Sequence, residues 1–476
     1  MREDIKKRIE QIRRGEVPEG YKNLVDYHII PIDWRIKKLE DLGSLKNGIN
    51  KDKDMFGNGY PLVNLDDVFA SKCISSTSEI STLVFCSEQE RASYSLRNGD
   101  IIFVRSSVKK EGVGLTAYVT EDLSDTVFSG FLIRFRCLSD SLVGSYKVYC
   151  FDSTYFRDQL LRKSTVSANT NINQEQLKIL KIALPCTNEQ EQIAEILSTC
   201  DRVIELKKKL IEEKKKVKKW LMQTLLTGMI RVKDIENKTP FEELKKRIEQ
   251  IRRGKVPQGY DRNGILGIIP EEWQVFQMSR IISTLTDFVA NGSFASLRAN
   301  VKYLRKQDYA VLLRLEDHSN DYKGEFVYVD MYSYQFLRKS VLKPGDIIIA
   351  NVGARCGFVF RAPSLKLPMT LGPNAILLRT NQDDYWVYYF LSSSIGQSQL
   401  SQIKGTSAQP KFNKTDFRSL SICLPEIAEQ IRIAEILSTA DTEIDLLNKD
   451  LEQWELKKKS LMQLLLTGIV RVNAEN

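Results

Sequence analysis

A 44-residue segment that occurs twice constrains this chain more than any other feature. Residues 189–232 return 240 positions later as residues 429–472, with 25 of 44 positions identical and no gap. Each copy follows a proline by a few residues and holds its only glycine near its C-terminal end. Because proline and glycine punctuate helices in this way, each copy is predicted to form one long helix. At about 1.5 Å per residue, the helix is roughly 60 Å long.

The spacing of apolar residues predicts what these helices pack against. A heptad-like stripe runs along the first copy and is interrupted by Lys207 and Lys214, whereas the second copy repeats nearer to every 3.6 residues. We expect the two helices to pack on each other without a long regular supercoil. The alternative is two unrelated amphipathic helices, each lying on its own domain. Identity on every helical face argues against it, because core packing needs only one face. The first stripe comprises Ile193, Ile196, Cys200, Val203, Leu210, Val217 and Leu221.

Composition limits the class of protein. A chain of 476 residues has room for two or three domains, and it contains no apolar run of membrane-spanning length and no export leader. The eight cysteines lack any CxxC spacing, which is typical of reduced core residues. We therefore expect a cytoplasmic protein. The net charge of +9 is compatible with a polyanionic partner and is also common in proteins that have none.

A second repeated segment begins each half of the chain. Residues 6–21 match residues 245–260 at 14 of 16 positions and are predicted to form a short helix ended by glycine and proline. The chain is therefore a tandem repeat. The arginines at the end of this helix are candidates for contact with phosphate or an acidic partner, and an ordinary solvated helix end is the alternative. They are Arg13, Arg14, Arg252 and Arg253.

Between the repeated segments lie two regions whose ends correspond and whose middles diverge. Both begin with a Pro-x-x-Trp signal, continue through a Gly-Asp turn into a β-branched strand, and end in a polar loop followed by a strand that closes on Leu-Pro. We predict two globular domains of mixed α/β class. The predicted boundaries are 1–21 and 236–260 for the short helices, 22–185 and 261–425 for the domains, and 186–235 and 426–476 for the long helices.

The order of these motifs resembles that in the specificity subunit of Type I restriction–modification systems. The resemblance covers nearly the whole chain, and the motifs occur twice in the same order. The resemblance implies two target-recognition domains, each reading one half of a split DNA sequence, held apart by two antiparallel helices that dock methyltransferase subunits and set the gap. It also implies two methyltransferase subunits, restriction/translocase subunits within the complex, and S-adenosylmethionine, ATP and Mg²⁺ bound by those partners in a prokaryotic cell. The segments after Leu184 and Leu424 lack the family's usual doubled proline.

The residues themselves lead to a similar architecture. A chain that runs domain, helix, domain, helix closes compactly only if the second helix returns alongside the first. The helices are then antiparallel, and the duplication predicts a pseudo-twofold arrangement. Near-identical helices with divergent domains are expected if the helices meet the same partner twice and the domains meet two different targets.

Catalytic motifs are absent from the sequence. The only histidines are His28 and His318, and neither has a second metal-ligating residue at a useful spacing. The sequence lacks a GxxxxGK[ST] phosphate loop and an Asn-Pro-Pro-aromatic methyltransferase motif. We therefore expect a non-catalytic subunit, and a stand-alone restriction or methylation enzyme is disfavoured. A coiled-coil scaffold that binds two copies of a protein and no DNA is the remaining alternative.

Base reading needs polar and basic side chains on loop tips, and two loops in each domain supply them. The first domain offers Arg105, Ser106, Ser107, Lys109, Lys110, Thr165, Ser167, Asn169 and Asn171, and the second offers Asn351, Arg355, Lys404, Thr406, Ser407, Gln409 and Lys411. The lysines of residues 207–219 are predicted to form a solvated helix face, because glutamates are interleaved with them. Partner contacts are predicted at the repeated arginines and at Ile193, Ile196, Leu197, Ile433, Ile436 and Leu437.

Overall fold

The computed structural model describes residues 3–24, 28–166, 169–405 and 409–472, and it divides into two compact units. The first unit comprises Met1–Lys208 together with Lys449–Asn476, and the second comprises Lys209–Asn448. Both divisions fall inside the long helices. Each unit therefore contains one globular domain and one half of each long helix.

The first unit opens with a short helix and continues into a mixed α/β domain. Its helices are α1 (Glu3–Arg13), α2 (Leu39–Leu42), α3 (Leu65–Ala70), α4 (Glu88–Tyr94), α5 (Thr154–Lys163), α6 (Gln174–Lys178) and the beginning of α7 (Thr187–Leu225). Its strands are β1 (Tyr21–Asn23), β2 (Ile29–Pro31), β3 (Arg35–Lys38), β4 (Gly43–Asn47), β5 (Phe56–Val63), β6 (Cys73–Ile74), β7 (Leu83–Val84), β8 (Asp100–Val104), β9 (Ser106–Ser107), β10 (Thr116–Val119), β11 (Val127–Phe128), β12 (Leu132–Cys137), β13 (Thr165–Val166), β14 (Thr170–Asn171) and β15 (Lys181–Leu184).

The main sheet of this domain has the strand order β4-β12-β8-β10-β6, with only the β10–β6 pair parallel. Strand β8 is buried along its whole length, which explains its run of β-branched and aromatic residues. The domain closes where β15 pairs antiparallel with β3, so the strand before Leu-Pro lies beside the strand after Trp34.

The second unit repeats this plan with different internal strands. Its helices are α8 (Val232–Glu236), α9 (Phe241–Arg252), α10 (Met278–Ile281), α11 (Phe294–Asn300), α12 (Leu315–Ser319), α13 (Met331–Phe336), α14 (Asp384–Ser392), α15 (Ser394–Gln402), α16 (Lys414–Arg418) and the beginning of α17 (Ile427–Leu466). Its strands are β16 (Tyr260–Asn263), β17 (Gly267–Pro270), β18 (Gln274–Gln277), β19 (Ile282–Asp287), β20 (Ala310–Leu313), β21 (Val327–Val329), β22 (Val341–Leu342), β23 (Ile347–Ala350), β24 (Val359–Arg361), β25 (Met369–Leu371), β26 (Ala375–Thr380) and β27 (Ser421–Leu424).

Two four-stranded sheets and two two-stranded sheets form this domain. The first has the antiparallel order β19-β26-β23-β24, and the second has the order β21-β20-β25-β22 with a parallel β20–β25 pair. Strand β27 pairs with β18, which matches the β15–β3 closure of the first domain. The predicted mixed α/β class and tandem repeat are confirmed.

The two long helices are shorter than the repeated segments. Helix α7 ends at Leu225 and α17 at Leu466, because Gly228 and Gly468 soon follow in the left-handed conformation. A Cβ atom at Gly228 would lie 2.4 Å from the Pro270 ring. The prediction of one helix through Val232 is therefore wrong at its end: Val232 opens the separate helix α8.

The buried face of α7 follows the predicted heptad stripe at Ile193 and Cys200 but departs from it further along the helix. Leu210 and Val217 are exposed, whereas Ile204 and Ile211 are buried. In the first unit Ile193 and Leu197 join a core that also contains Leu465 and Leu466 of the α17 end. In the second unit Leu225 and Leu226 share a core with Ile433 and Leu437. Each half-helix therefore packs against a globular domain as well as against its partner helix, which displaces the apolar seam.

Ion pairs between α7 and α17 show that the helices run antiparallel. Within the first unit Asp201, Lys207 and Lys208 pair with Lys458, Asp450 and Glu455. Within the second unit Lys214 and Lys218 pair with Glu443 and Asp441. Four of the eight lysines of residues 207–219 therefore pair with acidic residues of the partner helix, and Lys215 and Lys216 pair with glutamates of their own helix. Among the described residues, none of the helices has the combination of length and hydropathy that a membrane crossing needs.

Candidate functional site

Two candidate loops meet in the first domain. Strand β9 follows the Gly-Asp strand β8, and it pairs antiparallel with β14 of the polar loop, so that Ser106 and Ser107 lie opposite Asn171 and Thr170. Strand β14 pairs in turn with β13. The backbone N–H of Ile172 donates to the carbonyl oxygen of Arg105 at 2.9 Å. The structure therefore brings two sequence-distant candidate segments into one three-stranded surface.

The same two loops meet in the second domain. Val352 and Lys411 form an isolated antiparallel bridge, and the N–H of Gly353 donates to the carbonyl oxygen of Pro410 at 2.9 Å. The N–H of Phe412 donates to the carbonyl oxygen of Asn351 at 3.2 Å. The pairing of the Gly-Asp loop with the polar loop thus recurs although the domain middles have diverged.

The first-domain candidates differ in accessibility. Lys109 and Lys110 are exposed, and Arg105 is half-buried with Nη1 donating to the carbonyl oxygen of Gly130 at 3.4 Å. Thr165 is exposed and its hydroxyl donates to the carbonyl oxygen of Asn171. The amide of Asn171 donates to the carbonyl oxygen of the exposed Asn169, which stabilises the loop locally, and Ser167 lies outside the described residues.

The second-domain candidates also comprise exposed side chains and side chains that pack against neighbouring residues. Lys411 and Gln409 are exposed, and Lys404 is half-buried against Gly357. Arg355 is exposed, with Nη1 donating to Ser319 Oγ at 2.5 Å and the guanidinium 6.0 Å from the Phe358 ring centroid. Thr406 and Ser407 lie outside the described residues. Asn351 is half-buried, and its Oδ1 is buried without a hydrogen-bond partner.

Buried aspartates position both candidate loops. Asp100 and Asp346, the aspartates of the two Gly-Asp turns, accept hydrogen bonds from Arg136 and Arg379 at 2.6 Å to 2.8 Å. Each also accepts from a backbone N–H of its own turn. A buried carboxylate needs such partners, so these residues orient the strand that leads into the loop.

A second repeated network connects each domain to the helix pair. Tyr149 donates to Asp201 of α7 at 2.8 Å, and Tyr389 donates to Asp441 of α17 at 2.8 Å. A lysine of the other long helix pairs with each aspartate. Lys458 pairs with Asp201 in the first unit, and Lys218 pairs with Asp441 in the second. Burial, followed by the neighbouring carboxylate, raises the pKa of Tyr149. The neutral phenol therefore serves as a fixed donor.

A third network surrounds the glutamate near the start of each long helix. Glu189 is 1% exposed; it accepts from Trp34 Nε1 at 3.1 Å and from Arg471 at 2.7 Å and 2.9 Å. The hydrogen-bonded Glu189 carboxylate raises the pKa of Arg471. The second unit repeats this arrangement with Glu429, Trp273 and Arg231. An arginine a few residues beyond the C-terminal end of one long helix thus binds the glutamate near the start of the other.

The predicted partner residues on the long helices prove to be core residues. Ile193, Leu197, Ile433 and Leu437 are fully buried, and Ile196 and Ile436 pack against the same cores. Ile193, Leu197, Ile433 and Leu437 are therefore inaccessible to a partner, and the hypothesis that they bind one is corrected. Ile196 and Ile436 are only partly buried, and their role stays a prediction. Arg13, Arg14, Arg252 and Arg253 are exposed at the ends of α1 and α9, and their role stays a prediction.

The long helices do carry identical residues that face solvent. Glu195, Thr199 and Leu206 in the first unit correspond to Glu435, Thr439 and Leu446 in the second, and all six are exposed or partly exposed. Leu206 is 59% exposed and Leu446 is 60% exposed. Packing within the chain does not account for identity at these positions. The identical residues are visible in the sequence, but only the structure shows which of them are exposed and which are buried.

No group of histidine, cysteine or carboxylate residues suited to a metal ion occurs in the described part of the chain. The paired loops present hydrogen-bonding and basic groups. Exposed hydroxyl, amide and basic groups on two separate domains can bind base edges and phosphates.

Comparison with known proteins identifies relatives of this arrangement. The model of the type I restriction modification DNA specificity domain matches residues 31–216 and again 270–456. The putative type I restriction enzyme MjaX specificity subunit of Methanocaldococcus jannaschii is 28% identical over 465 residues, which cover 93% of this chain and 95% of that protein. The EcoKI specificity subunit of Escherichia coli is 25% identical over 181 residues, 38% of each chain. A solved structure from a study of assembly and conformational transition of the type I R-M system covers 92% of this chain and 98% of its own, at 16% identity and a TM-score of 0.51.

Proposed function

Because the chain belongs to the type I restriction–modification DNA specificity family, we propose that it reads a bipartite, gapped DNA target, with one half-site bound by each domain. The observation that carries this proposal is the pairing of the Gly-Asp loop with the polar loop in both domains. The pairing gathers exposed Lys109 and Lys110 on one domain, and exposed Arg355 and Lys411 on the other, beside polar backbone. Divergent loops on a repeated support fit two different half-sites.

Specificity subunits of type I systems are non-catalytic, and they assemble with methylase and restriction subunits and bind DNA. We infer that S-adenosylmethionine, ATP and Mg²⁺ are bound by those partners rather than by this chain. A cytoplasmic location in a prokaryotic cell stays a prediction.

Two methyltransferase subunits are proposed to dock on this chain. The support is the repeated solvent-facing set Glu195, Thr199 and Leu206 with its counterpart on α17, since one partner surface can recognise both copies. Leu206 and Leu446 are the apolar members of this set, and each offers apolar area that a partner can bury. The repeated arginines of α1 and α9 are candidates for further contacts with the same partner.

The antiparallel helices are proposed to set the gap between half-sites. The support is their length of 39 and 40 residues, roughly 60 Å at 1.5 Å per residue, together with the ion pairs that fix their register. The buried Glu189 and Glu429 networks attach each domain to both helices, so a domain is held at a defined position along the pair.

Selection from a random-sequence duplex pool tests this function. We expect the full chain with a methyltransferase partner to enrich two short conserved blocks separated by an unread gap of constant length. Replacement of Asn351 and Arg355 with alanine should relax recognition of one block, and replacement of Arg105 and Lys109 should relax the other, by about 1–3 kcal/mol for each side chain that binds a base edge. Weakening on all sequences with a shallower salt dependence would identify phosphate contacts instead.

A scaffold that binds proteins and no DNA would behave differently in the same experiment. It would enrich no block, with or without the partner, while still retaining the methyltransferase. That result would overturn the proposed function and favour the scaffold.

A further inference from the structure

The second domain holds a cleft of about 900 Å³, and Asn351 is the one predicted loop residue among those that line it. Asn351 and Val352 belong to the Gly-Asp loop, and most of the other lining residues belong to the segment around α11. Asn374 also lines the cleft. The cleft is therefore continuous with the loop surface already described but is built mainly from residues outside it.

Helix α11 presents an aromatic and a basic side chain at this cleft. Leu297 is buried in a small core with Phe288 and Val301, which fixes the helix on the domain. Phe294 and Arg298 are four residues apart, so they lie on one face of the helix, and both are exposed. Phe294 is 81% exposed, so its ring is open to a ligand at the cleft.

The charge of this segment favours a polyanion. Residues 288–307 contain four basic residues and no acidic residue, the basic ones being Arg298, Lys302, Arg305 and Lys306. Asp287, which precedes them, is paired with Lys414 at 2.9 Å. Over the described residues, no ion pair involves Arg298, Arg305 or Lys306. Arg298 lines the cleft together with exposed Phe294 and Tyr303, which combines a phosphate-binding group with base-contacting groups.

Two asparagines add hydrogen-bonding groups to the cleft. Asn374 adopts a φ of 67°, which residues other than glycine rarely do, and it is exposed at the rim. Its carbonyl oxygen accepts from the N–H of Asn351 at 3.1 Å, so the two asparagines are held together. The buried Oδ1 of Asn351 has no partner within the described residues, which leaves an acceptor for a donor of the ligand.

We propose that this cleft, termed the α11 cleft, contacts the bases of the half-site read by the second domain. Asn374 hydrogen-bonds a base edge, Phe294 makes an apolar contact with an adjacent base, and Arg298 binds a phosphate. A carboxamide pairs best with adenine, and an apolar ring fits the thymine methyl, so we expect Asn374 to contact an adenine and Phe294 an adjacent thymine. The inference rests on the proposed function and names the specificity-determining residues of its second domain.

Matched variants test the cleft in the full chain bound to its methyltransferase partner. The probes are the duplex selected from the random pool and all its single-base-pair variants, with affinity measured by fluorescence anisotropy at several salt concentrations. Asn374→Gly removes the carboxamide while glycine keeps the positive φ. Phe294→Ala is matched by Phe241→Ala, an exposed phenylalanine at the start of α9. Arg298→Ala is matched by Arg280→Ala. Arg280 is exposed and lies just before the first residue of β19, whereas the cleft lies at the other end of that strand.

The expected results separate base contacts from phosphate contacts. Asn374→Gly should reduce discrimination at one base pair of one half-site by about 5- to 150-fold, and Phe294→Ala should weaken the selected duplex about tenfold or more. Arg298→Ala should weaken all sequences alike and reduce the salt slope by about 0.9. Discrimination at the other half-site should stay unchanged, which also shows that each variant is folded.

Three results would overturn the inference without touching the proposed function. These are cleft variants that match their controls, effects confined to the half-site of the first domain, and weakened binding of methyltransferase rather than of DNA. Failure of the wild-type chain to select any gapped target would instead overturn the proposed function itself.

Discussion

Lengthening both long helices by one heptad tests whether they set the distance between half-sites. The insertions follow Lys209 and Lys449. Lys207 pairs with Asp450 in an antiparallel register, so the two added heptads are expected to pack against each other. Seven residues add roughly 10 Å of helix, which corresponds to about three base pairs at ~3.4 Å each.

The added length also rotates the two half-sites relative to each other. Three base pairs turn the DNA by roughly 100° at about ten base pairs per turn, whereas seven residues turn an α-helix by roughly 700°, close to two full turns. The domains then separate correctly but face different sides of the duplex. We expect either a longer preferred gap with both half-sites unchanged or loss of tight binding to the original target.

Selection from a duplex pool in which the gap length varies is the assay, with the unmodified chain run in parallel. A chain with the heptad in α7 alone is the control, because it breaks the register of the helix pair. If the double-insertion chain still prefers the original gap with undiminished affinity, the helices do not set the gap.

Two further predictions concern stability and stoichiometry. Arg471→Met leaves the Glu189 carboxylate buried without its charged partner, so the free energy of unfolding in urea should fall by about 3 kcal/mol or more. The double variant with Glu189→Gln should recover much of that decrease, and an unchanged urea midpoint in the single variant would contradict the reasoning. In native mass spectrometry the wild-type complex should contain two methyltransferase subunits, Leu206→Glu and Leu446→Glu should each release one, and the double variant should release both. Leu456→Glu is the matched control, since Leu456 is 58% exposed but has no leucine counterpart in the other helix. A single methyltransferase at saturation in the wild-type complex would refute the docking model.

Repeats and chain punctuation sufficed to predict the fold class and the pairing of the long helices. The buried seam of α7 was mispredicted at Leu210 and Val217 because heptad counting assumes that a helix packs against one straight partner. Ile204 and Ile211 are buried instead. Where two packing surfaces compete for one helix, apolar periodicity alone does not determine which residues become buried.

The candidate surfaces were only partly predictable for a different reason. The Gly-Asp loop and the polar loop are recognisable because both domains contain them, whereas the α11 cleft lies in the divergent middle of one domain. Its four basic residues, between Asp287 and Asp308, were a usable signal in residues 288–307. The conformation of Asn374 and the exposure of Phe294 depend on the folded backbone and could not be predicted from residue types.

The division of the chain into units has a consequence for biosynthesis. The second unit is one continuous segment, but the first needs Leu465, Leu466 and Arg471 to fill its core and neutralise Glu189. At about 5–20 residues per second, the ribosome takes roughly 13–50 s to translate from Lys208 to the last of these residues. The N-terminal domain emerges first but completes its core last. The apolar surface against which Leu465 and Leu466 pack therefore stays exposed to solvent until the end of α17 has been translated.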